Sequence, residues 1–205
     1  MPIIATRASA AYGAGFAAIT APPFALTGAY DALAVTVVPV GGLSSVTFSG
    51  IPAGYKHLEL RCSVQTNRAT YNRDSLPIRF NGDAGSSYSG HSYYGDGGGT
   101  TLGYAAASQI NASGGTIGTG VENSGLQFGV SIVEILDYAS TTKRKTIRVL
   151  SGTDMNGTGT GGIGGIVEVW THCWQSVSAI TSITFTPGVG TLFNRYSSFA
   201  LYGVK

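Results

Sequence analysis

Ten carboxylates, three histidines and two cysteines are the residues of this 205-residue chain that carry catalytic or metal-binding reactivity. Glycoside hydrolysis needs two carboxylates facing one another across a bond. Glu59, Glu134 and Glu168 are the carboxylates placed mid-strand, and each falls on the polar side of an alternating segment, where a charge is expected to be solvated. His57, His91 and His172 show no HExxH spacing, and no GxSxG elbow is present. Cys62 and Cys173 form no CxxC or Cys/His cluster, so zinc is not expected; buried free thiols and a bridge between neighbouring strands both stay open. The runs Gly95 to Gly99 and Gly157 to Gly165 lack the Lys-Ser/Thr pair of a phosphate loop. Oxygen-rich stretches near Asn81 and Asp83, and near Asp154 and Asn156, lack EF-hand spacing. These readings lead to a non-enzymatic protein with no metal and no cofactor.

The aromatic residues point to binding instead. Trp170 and Trp174 share one face of a strand, with His172 between them. Two indoles so placed would make a stacking platform for sugar rings, or pack between sheets or subunits; a subunit interface is the favoured reading. Residues 82 to about 125 read as a long loop rich in Gly, Ser, Tyr and Asn, the residues of adaptable contact surfaces. Tyr88, His91, Tyr93, Tyr94 and Tyr104 are its candidate contact residues, and a solvated flexible loop is the alternative.

Strands must position these residues. From His57 to Val64 the even positions are apolar or Cys and the odd ones polar, a period of two with one dry face and one wet face. Similar segments are expected at Ala34 to Val40, Val46 to Phe48, Leu76 to Phe80, Gln127 to Tyr138, Thr146 to Leu150, Ile166 to Trp174, Ile180 to Thr186 and Ser198 to Val204. Pro77 lacks an N–H, which predicts an edge strand. The apolar face switches near Ile132, which predicts a bulge. In Ile166 to Trp174 the dry face is assigned to Val167, Val169, Thr171 and Cys173. About nine strands and no helix predict an all-β chain, an antiparallel two-sheet β-sandwich of jelly-roll type, with an immunoglobulin-like sandwich second.

Composition sets the surroundings. Charged residues make up 11 % of the chain against about 25 % in ordinary domains, which favours association with other copies. A net charge of +2 gives no support to nucleic-acid binding. The one basic run, Lys143-Arg144-Lys145, reads as a solvated turn. No apolar run is long enough to span a bilayer, and no secretory leader is evident, so membrane insertion is not expected and synthesis in a cytoplasm is. Residues 1–42 hold one Arg and one Asp among many Ala and Gly. They read as an attachment arm, with Ile4, Arg7, Phe16 and Phe24 as its contact residues, leading into a domain over 43–205.

Several segments resemble small virion structural proteins of tailed bacteriophages: Val46-Thr47-Phe48-Ser49-Gly50-Ile51-Pro52, Tyr55-Lys56-His57-Leu58-Glu59-Leu60-Arg61, Ile78-Arg79-Phe80-Asn81-Gly82-Asp83 and the closing Ser198-Phe199-Ala200-Leu201-Tyr202-Gly203-Val204-Lys205. The opening Ile4 to Ala10, with Gly13, Gly15 and Phe16, resembles the short N-terminal arms of phage surface proteins. The resemblance implies a β-sandwich that forms a homotrimer on a virion, made in the host cytoplasm. It implies either a tail-fibre or baseplate component contacting a host surface glycan, or a capsid decoration (cement) protein bound to the major capsid protein. The first is preferred for its Tyr-rich segment; a free-standing carbohydrate-binding module is third.

Overall fold

The computed structural model describes residues 28–69, 71–97, 101–120, 127–154 and 164–205, and among them finds twelve strands and no helix. In chain order these are β1 Tyr30–Val37, β2 Val46–Ser49, β3 His57–Thr66, β4 Arg73–Phe80, β5 Tyr88–Gly95 and β6 Thr101–Gln109. Then follow β7 Ala112–Thr119, β8 Gly129–Leu136, β9 Lys145–Asp154, β10 Gly165–Trp174, β11 Ser182–Phe185 and β12 Ser198–Val204. The all-β expectation holds. The arm residues Ile4, Arg7, Phe16 and Phe24 lie outside the described residues. The later part of the stretch assigned to the arm contains β1, which pairs along its length with β12, and Val38, which is buried in the core.

β3 is the axis of the molecule. Leu58, Leu60, Cys62 and Val64 point inward and are buried, as their period of two predicts. Over His57–Val64 the strand pairs with β12 on one edge and β8 on the other. It then runs on, and Gln65 and Thr66 pair in parallel with Gly118 and Thr119 of β7. That parallel junction departs from the expected all-antiparallel pairing. It joins every strand into one mixed network, in the order β2-β11-β4-β7-β3-β8-β9-β10-β5-β6, with β12 and then β1 on the other side of β3.

Inward side chains from both stretches of this network meet in one core. Phe185 of β11 packs on Phe199 of β12 with ring centres 5.2 Å apart, and Phe193 meets Phe199 at 5.0 Å. β7 rests on β8 backbone to backbone: a Cβ placed on Gly129 would lie 2.5 Å from the Gly118 nitrogen and 2.7 Å from Cα of Ile117.

Four local expectations are corrected. Residues 82 to 125 are not one long loop; β5, β6 and β7 fill most of that stretch. Their Gly, Ser and Tyr residues read as loop by type, yet exposed or glycine-tight strands tolerate the same types. Pro77 does not mark an edge, because β4 lies between β11 and β7; the register slips between Ser75 and Pro77, and that irregularity accommodates the missing N–H. No bulge occurs at Ile132: β8 keeps unbroken register, Gly129, Ser131, Val133 and Ile135 point inward, and Val130 and Ile132 simply face out. On β10 the faces are the reverse of those assigned: Val167 and Val169 are exposed, while Glu168, His172 and Trp174 are buried. A period of two pairs residues by face without saying which face is dry. Register decides it, since Trp170 stands opposite Val149 of β9, which is buried.

Lys145 is not solvated either. Its ammonium is buried and donates to the carbonyls of Ser140 at 2.7 Å, Lys143 at 2.8 Å and Val177 at 3.3 Å, closing the β8–β9 turn. Desolvation holds its pKa below the usual lysine value.

Three substitutions test these contacts by chemical denaturation. Gly129→Ala should cost about 2 to 3 kcal/mol, because only backbone atoms surround the new methyl. Gly54→Ala, with open space around it, should stay within about 0.5 kcal/mol of the parent. Lys145→Met should cost about 2 to 4 kcal/mol by leaving three carbonyls without their donor.

Candidate functional site

Among the described residues β6 hydrogen-bonds only to β5, and eight of its nine residues are exposed. The inner face of β10, β5 and β6 therefore runs from buried residues such as Glu168 and His172 out to exposed residues on β6, a trough open along its β6 side. Register places its side chains. Glu168, Trp170 and His172 of β10 stand opposite Tyr94, Ser92 and Gly90 of β5. Tyr94 and Ser92 in turn face Leu102 and Tyr104 of β6.

The trough has an aromatic side. Tyr104 meets Trp170 edge-on, with centres 5.8 Å apart and planes at 72°. Trp170 stacks on His172 at 4.9 Å and 11°. Gly90 makes this stack fit, since a Cβ there would lie 2.2 Å from His172 Nδ1. Burial pushes the His172 pKa down to about 4, and a hydrogen bond with the Ser89 backbone opposes that shift without reversing it. The Ser113 N–H points at His172 Nε2 from 3.3 Å and needs a lone pair there, which the neutral ring supplies.

Beyond Glu168 the trough deepens into a hollow of about 270 Å³ lined by Arg68, Tyr71, Arg73, Tyr94, Thr116 and Glu168. The Arg68 and Arg73 guanidinium carbons lie 5.0 and 5.8 Å from the Tyr71 ring centre, one cation–π contact each. Arg68 Nη1 donates to the Arg73 carbonyl at 3.0 Å. Glu168 is buried, contrary to its expected wet position, and Oε2 accepts from Thr116 Oγ1 at 3.0 Å. Asp74, behind the arginines, is a structural anchor. It accepts from Thr66 Oγ1 at 2.9 Å and from the N–H groups of Ser75, Val189 and Gly190 at 2.9, 3.0 and 2.9 Å.

The candidate residues are thus divided. Tyr94 and Tyr104 join Trp170 in the trough. His91 and Tyr93 are exposed on the opposite face, and Tyr88 is buried in the core. Trp174 is also a core residue, stacked on Tyr88 at 6.4 Å and packed on Phe80 at 5.6 Å, so it offers no surface to another subunit. Its Nε1 donates to Asp83 Oδ2 at 2.7 Å, and with the Gly85 N–H this holds the Asp83 carboxyl below its usual range. Both cysteines are free, with Cys62 facing the core and Cys173 half-buried on the other face. Glu59 is buried too, covered by Arg61 at 2.7 Å and the Tyr30 hydroxyl at 3.1 Å. Arg68, Tyr71 and Arg73 lie outside the residues that the sequence patterns single out. Their signal was two cations and a ring interleaved within six residues, with Tyr71 and Arg73 two apart.

The outer face is different in kind. Ile132, Leu150, Val169 and Tyr93 stand side by side across β8, β9, β10 and β5. Leu150 is 50 % exposed, Val169 44 % and Tyr93 61 %, with Val130 and Val167 flanking them. Beside this band lie the Arg61–Glu59 and Arg148–Glu134 ion pairs. No group of three or more His, Cys, Asp or Glu fit to hold a metal occurs among the described residues. No helix there is long and apolar enough to cross a membrane. No protein-family model, curated protein or solved structure matches the chain.

His172 makes stability depend on pH. Its folded pKa lies below the unfolded value of 6.5, so between pH 6.5 and about 4 the unfolded chain binds more protons. Stability contributed above pH 6.5 is lost as pH falls through that window, by up to about 3 kcal/mol. Urea melts of the parent and His172→Gln at pH 7 and pH 4.5 should show a clearly smaller loss for the variant.

Proposed function

We propose that this chain is a non-enzymatic structural protein of a bacteriophage virion, a tail-fibre or baseplate component that presents a binding surface to the host. Its strand network reads as a two-layer β-sandwich, with β2, β11, β4 and β7 laid over β12, β3, β8, β9 and β10. The backbone contact of Gly118 with Gly129 and the Phe185–Phe199 contact support that layering. The carboxylates support binding over hydrolysis, because Asp74 is saturated by donors and Glu168 is tied to Thr116.

The observation that carries the assembly reading is the apolar band on the outer face. Exposed aliphatic and aromatic side chains on four adjacent strands are costly in water and typical of surfaces that are covered. The occupant proposed is a second copy of the same chain, in a homotrimer. The band is bordered by both signs of charge, Glu59 with Arg61 and Glu134 with Arg148, so three such faces can gather about a threefold axis without a like-charge penalty. The inner trough stays open and would face the host.

Sedimentation of the parent should give a trimer, and Val167→Glu with Val169→Glu should give a folded monomer. Antibody labelling of particles should mark the tail. Labelling over the whole head would replace the fibre reading with capsid decoration, and unlabelled particles would remove the virion reading.

A further inference from the structure

Five buried side-chain polar atoms among the described residues lack any hydrogen-bond partner: Arg68 Nε, Arg73 Nη1, Ser92 Oγ, Thr153 Oγ1 and Trp170 Nε1. They are not scattered over the molecule. Arg68 and Arg73 line the hollow at the deep end of the trough. Ser92 and Trp170 are a cross-strand pair within the trough, one inward position along from Tyr94 and Glu168. Thr153 stands opposite Ile166, which lines the same hollow. Folded proteins pair nearly all such groups, so two unpaired ones lining one hollow, with three more on the strands beside it, call for an explanation. A bound molecule that brings the missing partners supplies it.

The chemistry of the unpaired atoms narrows the ligand. The two guanidinium atoms and the indole nitrogen only donate, and the two hydroxyls both donate and accept. The site is therefore short of acceptors. Arg68 and Arg73 suit a planar anion such as a carboxylate. The Trp170 and Tyr104 rings offer apolar surface for the C–H face of a saccharide ring, and Glu168 offers an acceptor for its hydroxyls. We infer that the trough binds an acidic saccharide, with its carboxylate at Arg68 and Arg73 and a neighbouring sugar ring against Trp170 and Tyr104. This rests on the reading of the protein as a host-binding component and specifies the ligand of that same surface.

Unpaired polar atoms give the inference a signature that a structural role lacks. Ser92→Ala and Trp170→Phe remove such atoms while keeping most of the packing. Each variant should melt no lower than the parent and bind ligand at least 5-fold more weakly. Arg73→Met should weaken binding at least 10-fold. The measurement is calorimetric titration of the full-length protein with trigalacturonate, and with galactotriose as its neutral counterpart, alongside an array of uronate-containing, sialylated and sulfated oligosaccharides. Binding of an acidic oligosaccharide at least 10-fold tighter than of its neutral counterpart, lost in Arg73→Met, is the expected result. Equal binding of acidic and neutral sugars overturns it, as does binding unchanged by all three substitutions. Absence of any acidic-sugar binding at about 1 mM also overturns it. These titrations use isolated protein, so their failure leaves the particle-labelling result standing, and a failure of labelling leaves theirs.

Discussion

The contact between Gly118 and Gly129 sets the position of everything laid over β8. With no side chain on either residue, β7 and β8 approach to backbone distance. β7 is then close enough for the end of β3 to hydrogen-bond it at Gln65 and Thr66, the junction that unites the strand network. Thr66 passes the constraint on, because its hydroxyl donates to the buried Asp74. Asp74 fixes the start of β4 and captures the N–H groups of Val189 and Gly190. Asn67, next in line, takes the N–H groups of Thr191 and Leu192. Arg68 and Arg73 are carried by the same few residues, so the hollow they line inherits its geometry from the glycine pair where β7 meets β8.

Glycine is where sequence reading had least purchase. In a chain with 31 glycines, runs such as Gly95 to Gly99 look like loop, and the glycines between residues 82 and 125 were read the same way. Gly90 lies instead within β5 and Gly118 within β7, each where another group presses against the backbone. A glycine that admits an imidazole and one that lets a loop turn look identical in a sequence. The alternation of β3 was legible because its dry face is aliphatic and its wet face carries His57, Glu59 and Arg61. β10 was misread because its two faces are inverted in polarity: valines point out, while a glutamate, two tryptophans and a histidine point in. Only pairing with Ile147 and Val149 of β9 reveals this, and register is a long-range property.

Trp170 and Trp174 show how much depends on where the cover stops. They share a strand and a face, so any local rule treats them alike. Trp174 lies among Phe80 and Tyr88 and finds Asp83 for its N–H. Trp170 lies toward the uncovered end, touches Tyr104 of a strand exposed on both faces, and finds no acceptor. The same indole is therefore a satisfied core residue in one place and an unsatisfied donor four residues away. Leaving a buried donor unpaired costs about 1 to 3 kcal/mol, and five such atoms, two lining the hollow and three on the strands beside it, are a sizeable fraction of the stability of a domain this size. Substitutions that would remove several of them are chemically simple, such as Ser to Ala at position 92 or Trp to Phe at position 170. Trp170 thus marks where the cover ends: the donor that Asp83 satisfies at Trp174 is left unmet where the inner face runs out toward β6.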